Sequence, residues 1–338
     1  MTALLGTALS ISCALVPALL AVAVLWWLDR YEKEPLWLLS ILLLWGAVPT
    51  IALSVAAQLV LDAPLSALFE PSPLYEAAQL SLIAPLTEES FKALILLAVY
   101  LFYRAEFDGV MDGILYGALV GVGFSLVENA FYFLQSLQEG GWSAWGMTVA
   151  LRAGLYPLNH ALFSACTGVG FGAARGSRGA SREALYPLLG WTAAVGLHAL
   201  HNGAVWLSAA TYGLSCALGT LVDWAGVLGM LVVILVVTRA ERRWLQALGP
   251  EVAAGTIAPE EYDLASRYGA RWARGWQVFA QHGPRAWLHW ARYVQRIVDL
   301  GFRLHQAHVH GDAEAEGQIA TLREHVRRAR ARLTDEGV

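Results

Sequence analysis

The sequence predicts an all-α fold, in which a polytopic membrane helix bundle is followed by a helical cytosolic tail. Of the 338 residues, 57% are hydrophobic and only 15% are charged, and the mean hydropathy is +0.49. Soluble globular domains carry more charge and fewer apolar residues. This composition excludes the ordinary soluble classes, and we expect a multi-pass protein of the cell membrane whose partner is the lipid bilayer.

Seven apolar stretches are long enough to cross a hydrocarbon core of about 30 Å, which requires roughly 20 residues of helix. They lie near residues 3–28, 36–61, 76–103, 110–137, 145–173, 186–209 and 213–238. The first stretch is longer than the core of a signal peptide and no basic residue precedes it. We therefore interpret it as a retained helix and expect seven transmembrane helices.

The basic residues predict the orientation of these helices. Lys and Arg occupy the first, third and fifth connections and the tail, at Arg30, Lys33, Arg104, Arg175, Arg178, Arg182, Arg239, Arg242 and Arg243. The connections near 62–75, 138–144 and 210–212 contain neither residue type. Because basic residues concentrate on the cytoplasmic side, we expect the N-terminus outside and the tail in the cytoplasm.

A change in composition divides the chain into a transmembrane domain over residues 1–238 and a tail over residues 239–338. The tail holds 15 of the 23 basic residues and 12 of the 27 acidic ones. Its tryptophans are expected to rest against the lipid headgroups or against each other, at Trp272, Trp276, Trp287 and Trp290. A docking site for a substrate or partner is the alternative. No nucleic-acid motif is present, and we expect no nucleic-acid partner.

Ionisable residues interrupt four of the apolar stretches. The interruptions are Glu88-Glu89-Ser90-Phe91-Lys92, Phe124-Ser125-Leu126-Val127-Glu128, His160, and His198-Ala199-Leu200-His201-Asn202. Such residues are expensive in a bilayer and usually mark chemistry or transport. Counting about 1.5 Å per residue from the expected helix ends puts all four within about two helical turns of one depth. They can therefore share one layer of the membrane.

This combination of side chains suits the activation of water. A Glu can take a proton from water, a His can assist it, and a second His with an Asn can donate hydrogen bonds to an oxyanion. Lys92 lies within one helical turn of both Glu88 and Glu89 and can pair with these carboxylates. The alternative is a buried network of ion pairs that only holds the helices together.

An ordered set of motifs also connects the chain to a known family. The set comprises Asp29-Arg30-Tyr31-Glu32-Lys33-Glu34-Pro35, Glu88-Glu89-x-x-Lys92, Phe107-Asp108-Gly109, Gly121-x-Gly123-Phe124-x-x-x-Glu128-Asn129, His160 and His198-x-x-x-Asn202. On these residues the chain resembles the PrsW-type intramembrane proteases, which are distantly similar to the CAAX-processing and bacteriocin-immunity type of glutamic intramembrane protease. The resemblance implies a polytopic peptidase with a membrane-anchored protein substrate, such as an anti-sigma factor cleaved at its first processing step.

The resemblance also implies roles for the site residues. Glu88 corresponds to the general base and Glu89 to its neighbour, whereas His198 and Asn202 correspond to the oxyanion donors. The wider group has a Phe-x-x-x-His motif where this chain has Phe124-x-x-x-Glu128. His160 is therefore the better candidate for the imidazole partner of Glu88. The role of Glu128 stays open, and Lys92 and Phe124 are expected to support the site.

The sequence leaves an alternative open for the catalytic mechanism and another for the class of function. If a metal is present, zinc or another divalent ion would find acceptable ligands in Glu88, Glu89, Glu128, His160 and His198. No HExxH helix occurs in the sequence, and we favour a glutamic-type mechanism without a cofactor. The other function classes are a proton- or cation-coupled transporter that uses the same Glu/His cluster and a catalytically silent membrane scaffold.

Overall fold

The computed structural model describes residues 2–31, 33–68, 72–104, 106–177, 179–310, 313–335 and 337. Glu32 and Arg178, which belong to the patterns above, lie outside these residues. Within the described ranges every regular element is a helix, which confirms the all-α prediction. The chain forms two compact units, one of Met1–Leu28 with Glu34–Ile234 and the other of Asp29–Lys33 with Leu235–Val338. The assignment of residues 1–238 to the membrane and 239–338 to the cytosol stays a prediction.

The first unit is built from long apolar helices. They are α1 (Thr2–Leu28), α2 (Leu36–Trp45), α3 (Ile51–Leu68), α4 (Pro73–Ala78), α5 (Ala84–Phe102), α6 (Val110–Val149), α7 (Asn159–Arg175), α8 (Ala180–Trp206) and α9 (Leu214–Trp244), of which α9 continues into the second unit. Short π-helical turns at Gly46–Thr50, Gln79–Ile83 and Ala150–Leu155 follow α2, α4 and α6. A π turn widens the helix locally and changes the direction of the side chains that come after it.

Each of the seven predicted spans contains helix. Among the residues that the structure describes, four stretches are long and apolar enough to cross a membrane, namely Leu4–Leu28, Leu36–Ser66, Val110–Arg175 and Leu214–Ala253. The third covers two predicted spans, with a kink at Gly141, whose φ is 68°. The predicted spans near 76–103 and 186–209 correspond to α5 and α8. Because α5 carries Glu88, Glu89 and Lys92 in 19 residues, its composition alone does not mark it as a span. The number of spans and their orientation stay predictions.

Many of the outward side chains of the first unit are apolar. Leu20, Val60 and Leu221 are 62%, 72% and 67% exposed, and many other Leu, Val and Ile side chains on α1, α3 and α9 are exposed too. An exposed apolar surface of this extent is typical of protein that contacts lipid. It agrees with the membrane location expected from composition.

Glycines on α6 let this helix approach α7 closely. A Cβ atom at Gly113, Gly117 or Gly121 would lie 2.1, 2.3 and 2.1 Å from the carbonyl oxygens of Gly168, Ser164 and His160 respectively. These distances are far below van der Waals contact, so only glycine permits the approach. The contact at Gly121 is with the backbone of His160, so the packing of α6 fixes the position of that residue along the helix axis.

We expect Gly121→Ala to destabilise the protein, because the added methyl group would overlap the His160 carbonyl oxygen. Overpacking of this kind typically costs about 1–3 kcal/mol. Thermal unfolding in detergent checks the prediction. Gly146→Ala, on the same helix with no atom within 4 Å of the added Cβ, is the matched control, and an equal stability of the two variants would contradict it.

The second unit contains a 3₁₀ turn (Leu245–Leu248) and the helices α10 (Gly249–Ala253), α11 (Pro259–Ser266), α12 (Tyr268–His310) and α13 (Ala313–Asp335). Its core is apolar and includes Leu245, Leu248, Ile257, Ile297 and Val298, each fully buried. Tyr31, from the connection after α1, is also part of this core, and its carbonyl accepts a hydrogen bond of 2.7 Å from Gln295 Nε2. The predicted topology likewise places this connection and the tail on one side of the membrane, and that topology stays a prediction.

Tryptophan side chains on α12 cluster on its surface. Trp272, Trp276 and Trp287 are 41% to 57% exposed, whereas Trp290 is buried. The rings of Trp272 and Trp276 lie 6.1 Å apart, and Phe279 joins Trp276 to Trp287 with centroid distances of 5.7 and 6.4 Å. The exposed tryptophans thus contact one another or Phe279, and their contact with lipid headgroups stays a prediction.

Asp299, on α12, is expected to make the stability of the second unit depend on pH. Burial raises the pKa of this carboxyl from 3.8 to about 6, against the opposing effects of Gln295, Arg303 and Arg296. The folded state therefore holds its proton more tightly than the unfolded state does. The stability that this proton provides is fully present below pH 3.8 and is lost as the pH rises through about 6.

Asp299→Asn should remove this dependence, because its amide oxygen can still accept the 2.9 Å hydrogen bond from Gln295 and carries no charge. We expect slower hydrogen exchange of the α12 amides in the variant than in the wild type above pH 6, and similar exchange near pH 4, after correction for intrinsic rates. Equal protection of both proteins above pH 6 would contradict the assignment.

Candidate active site

Helix α5 brings three ionisable side chains into the interior of the first unit. Glu88, Glu89 and Lys92 are all buried. The helix continues directly from the π turn Gln79–Ile83, and Pro85, which has no backbone N–H, stands in its first turn. Lys92 Nζ donates to Glu89 Oε1 over 2.7 Å, since residues three apart lie on one face of a helix. The motif therefore provides its own counter-ion for Glu89.

Glu89 is held by donors from three helices. Besides Lys92, Ser164 Oγ on α7 donates to Oε2 over 3.2 Å, and His198 Nδ1 on α8 lies 3.0 Å from Oε1. A buried carboxylate is stable only when its oxygens are paired in this way. Because a carboxylate only accepts hydrogen bonds, we assign the proton of His198 to Nδ1. Its Nε2 then carries a lone pair.

The lone pair of His198 faces Glu88. His198 Nε2 and Glu88 Oε2 lie 3.9 Å apart, which is too long for a hydrogen bond. Glu88 Oε2 is buried and has no hydrogen-bond partner among the described residues. Buried oxygens without a partner are rare in proteins and call for an explanation. A water molecule or a metal ion placed in this gap could bind the carboxylate oxygen and the imidazole nitrogen at the same time.

His160 is held on both sides of its ring. Lys92 Nζ lies 3.1 Å from Nδ1 and, because an ammonium only donates, Nδ1 accepts this hydrogen bond. Nε2 then carries the proton and donates to Glu128 Oε2 over 2.9 Å. The ring of Phe124 packs 4.9 Å from the His160 ring and 3.8 Å from Lys92 Nζ. Lys92 and Phe124, both expected to support the site, thus contact the His160 imidazole directly.

Glu128 lies between His160 and Arg152. Arg152 Nη2 donates to the Glu128 oxygen that also binds His160. Arg152 Nε donates to Asn129 Oδ1 over 2.7 Å, and the guanidinium lies 4.0 Å from the Tyr132 ring centroid. Glu128 is therefore a charged anchor for His160. Arg152 and Asn129 had no place in the site predicted from sequence.

The donor set fits a divalent metal ion. Glu88, His160 and His198 each offer one ligand atom, and these atoms lie within 4.8 Å of one another. The Nδ1 of His198 is held by the Glu89 carboxylate, which is the arrangement that orients metal-binding imidazoles. His160 would have to release Lys92 or Glu128 to offer a ring nitrogen. Glu89 and Glu128, the other two ligands considered from sequence, are bonded to neighbouring side chains.

Asn202 points to the backbone before α5. Its Nδ2 donates to the carbonyl of Leu80 over 2.9 Å, and Leu80 lies in the π turn Gln79–Ile83. One amide hydrogen is used in this contact, and the second remains for another acceptor. The oxyanion role of Asn202 stays a prediction.

Comparisons with known proteins agree with the motifs. The family model described as PrsW family intramembrane metalloprotease matches residues 34–247. Protease PrsW of Geobacillus kaustophilus is 31% identical over 173 residues, which cover 49% of this chain and 66% of that protein. Protease PrsW of Oceanobacillus iheyensis is 26% identical over 166 residues, which cover 49% of this chain and 69% of that protein. No solved structure matches the chain at a significant level.

The matched region contains every residue of the site just described. It begins before α2 and ends after α9, so it includes the Glu88–Glu89–Lys92 motif and both imidazoles. The chain spans about two-thirds of the length of the curated relatives it matches. The extent of the family match shows that this protein belongs to the PrsW family of intramembrane metalloproteases.

Proposed function

We propose that this protein is an intramembrane endopeptidase that hydrolyses a peptide bond of a membrane-anchored protein. The observation that carries the proposal is the buried Glu88 Oε2, which has no partner among the described residues and faces His198 Nε2 across 3.9 Å. A carboxylate and an imidazole with lone pairs directed at one gap can bind and activate a water molecule. Membership of a protease family supports the same conclusion.

In the proposed reaction Glu88 acts as the general base. It takes a proton from water as the water oxygen bonds to the carbonyl carbon of the substrate, and it later gives that proton to the leaving amine as the C–N bond breaks. Asn202 donates its remaining N–H to the oxyanion. His198 can add a second donor only as the imidazolium, a form that the Glu89 carboxylate at 3.0 Å stabilises.

Glu88, His160 and His198 would hold a divalent ion, if the reaction uses one. The chemistry that such an ion would supply, zinc being the usual choice for Glu and His ligands, is polarisation of the substrate carbonyl and acidification of a bound water. The surrounding residues serve either mechanism, because Glu89 orients His198 and Glu128 orients His160. Sensitivity of cleavage to a chelator therefore distinguishes the metal mechanism from the metal-free reaction that the sequence favours.

The proposed substrate is a single-pass membrane protein, and the PrsW resemblance suggests an anti-sigma factor. We further propose that the N-terminus lies outside and the second unit in the cytoplasm. The basic connections and the common unit of Asp29–Lys33 with the tail support this orientation. A scan of cysteine labelling from each side of the membrane would test it.

The function is tested with purified protein in liposomes and a panel of single-pass membrane substrates. We expect cleavage by the wild type. Cleavage that survives a metal chelator supports the glutamic mechanism, whereas cleavage that is lost with chelator and restored by Zn²⁺ supports the metal mechanism. Proton or cation flux without cleavage of any substrate would overturn the proposal in favour of a transporter.

A further inference from the structure

A second buried polar group lies in the first unit and has no place in the proposed reaction. It joins Asn159 on α7, His201 on α8 and Asp223 on α9. His201 Nδ1 lies 2.7 Å from Asp223 Oδ2, and Asn159 Nδ2 donates to the same oxygen over 3.0 Å. Asp223 is 1% exposed. A carboxylate in an apolar helix is costly and needs donors such as these.

The three side chains are joined at only one of the two carboxylate oxygens of Asp223. Both donors bind Oδ2 of Asp223, while its Oδ1 is buried without a hydrogen-bond partner among the described residues. Asn159 Nδ2 also lies 3.0 Å from His201 Nδ1, so the groups from α7 and α8 meet at one oxygen atom. Asp223 thus links α9 to both α7 and α8 through a single oxygen atom.

Each donor is adjacent to an imidazole of the active site. Asn159 directly precedes His160, and His201 lies one helical turn after His198. His160 is the second residue of α7, and Leu158 at the start of this helix provides no side-chain cap. The first turn of a helix lacks backbone acceptors for its N–H groups and is its least constrained part. The position of His160 therefore depends on anchors such as Asn159.

We propose that Asp223 is a positioning residue for the active site, which sets the places of His160 and His198 through Asn159 and His201. The proposal concerns geometry, and only its effect on catalysis rests on the proposed function. Phe163 separates the two groups, with its ring 5.0 Å from that of His198 and 6.3 Å from that of His201. Asp223 therefore acts through the placement of the helices.

Nitrogen-15 NMR of ring-labelled histidine in the full chain tests the placement without a substrate or a metal. The signals of His160 and His198 are assigned from their Gln variants. In Asp223→Ala, which removes both acceptor oxygens, we expect both sets of ring signals to shift. In Asp223→Asn, whose carbonyl can still accept from one donor, we expect smaller shifts. Asn159→Ala should move the His160 signals and leave those of His198 in place.

Thr220→Val is the matched control. Thr220 lies on α9 almost one turn before Asp223, and its hydroxyl bonds Tyr156 over 2.7 Å. This variant removes a polar contact between α9 and Tyr156, which lies between the π turn Ala150–Leu155 and α7, and should leave the His160 and His198 signals unchanged. Wild-type signals for both residues in Asp223→Ala, with a shift of His201 alone, would overturn the proposal. If Asp223→Ala does not fold, Asn159→Ala and Asp223→Asn decide the question, and unshifted His160 signals in both would overturn it.

A second readout is kinetic. With a substrate that the wild type cleaves, we expect Asp223→Ala to lower kcat by about 10- to 100-fold, the loss typical when groups that orient metal-binding side chains are removed. KM should stay unchanged, because Asp223 does not touch the proposed gap at Glu88, and Asp223→Asn should restore part of kcat. If Asp223→Ala gives less folded protein but the folded fraction has a normal kcat, the role of Asp223 is merely structural. Absence of cleavage by the wild type would defeat the proposed function, whereas the NMR result would still decide the placement.

Discussion

Glu88→Gln is expected to abolish peptide-bond cleavage. The amide has nearly the shape of the carboxyl group but cannot take a proton from water, and general-base catalysis contributes about 10²- to 10⁴-fold to a rate. A larger loss is expected if Glu88 also holds a metal ion. Cleavage of a single-pass substrate in liposomes measures the effect, with Glu76→Gln, at an exposed carboxyl on α4, as the control.

The same substitution should leave the fold intact. Glu88 Oε2 has no hydrogen-bond partner among the described residues, so replacing it removes no contact that holds helices together. We expect a thermal unfolding midpoint equal to or above that of the wild type. A variant that unfolds early would assign Glu88 a structural role, and one that retains full activity would contradict its role as the base.

Lys92→Met is expected to have the largest effect on stability. The ammonium group donates to Glu89 Oε1 over 2.7 Å and lies 3.1 Å from His160 Nδ1, and it is 1% exposed. Its removal leaves the fully buried Glu89 without its nearest cation. Breaking a buried ion pair by removing one partner typically costs about 3–5 kcal/mol, and unfolding in detergent measures this cost.

The double variant Lys92→Met with Glu89→Gln tests whether the loss comes from the unpaired charge. A neutral amide no longer requires a cation, so the double variant should recover much of the stability lost in Lys92→Met. An additive or greater loss in the double variant would show that Lys92 stabilises the fold mainly through its contacts with His160 and Phe124.

The depth of the site could be predicted from the sequence because the rise of a helix is regular. Counting residues from the ends of apolar stretches placed Glu88, Glu128, His160 and His198 in one layer, and the structure brings them together with Glu89 and Lys92. Helix spacing also predicted that Lys92 can pair with a carboxylate of its own motif, and it pairs with Glu89. The all-α fold followed from the composition and from the lengths of the apolar stretches.

The partners across helices could not be predicted in the same way. Arg152 binds Glu128, and it lies in the π turn Ala150–Leu155, where the widened helix changes the direction of its side chains. Asn202 likewise binds the Leu80 carbonyl within another π turn. No sequence pattern predicted these π turns, because the hydrogen bonds of a π turn depend on how the helix packs against its neighbours. Asp223 was missed because it stands alone in an apolar stretch without a motif around it.

We propose that the group of Glu88, His160 and His198 hydrolyses peptide bonds of membrane-anchored proteins. The most direct test of this proposal is mass spectrometry of substrate incubated with the wild type and with Glu88→Gln in H₂¹⁸O. We predict that the wild type produces two fragments and that the new carboxyl terminus carries ¹⁸O, whereas the variant produces neither fragment. The same fragments from Glu88→Gln, or fragments without ¹⁸O at the new terminus, would contradict hydrolysis at this group.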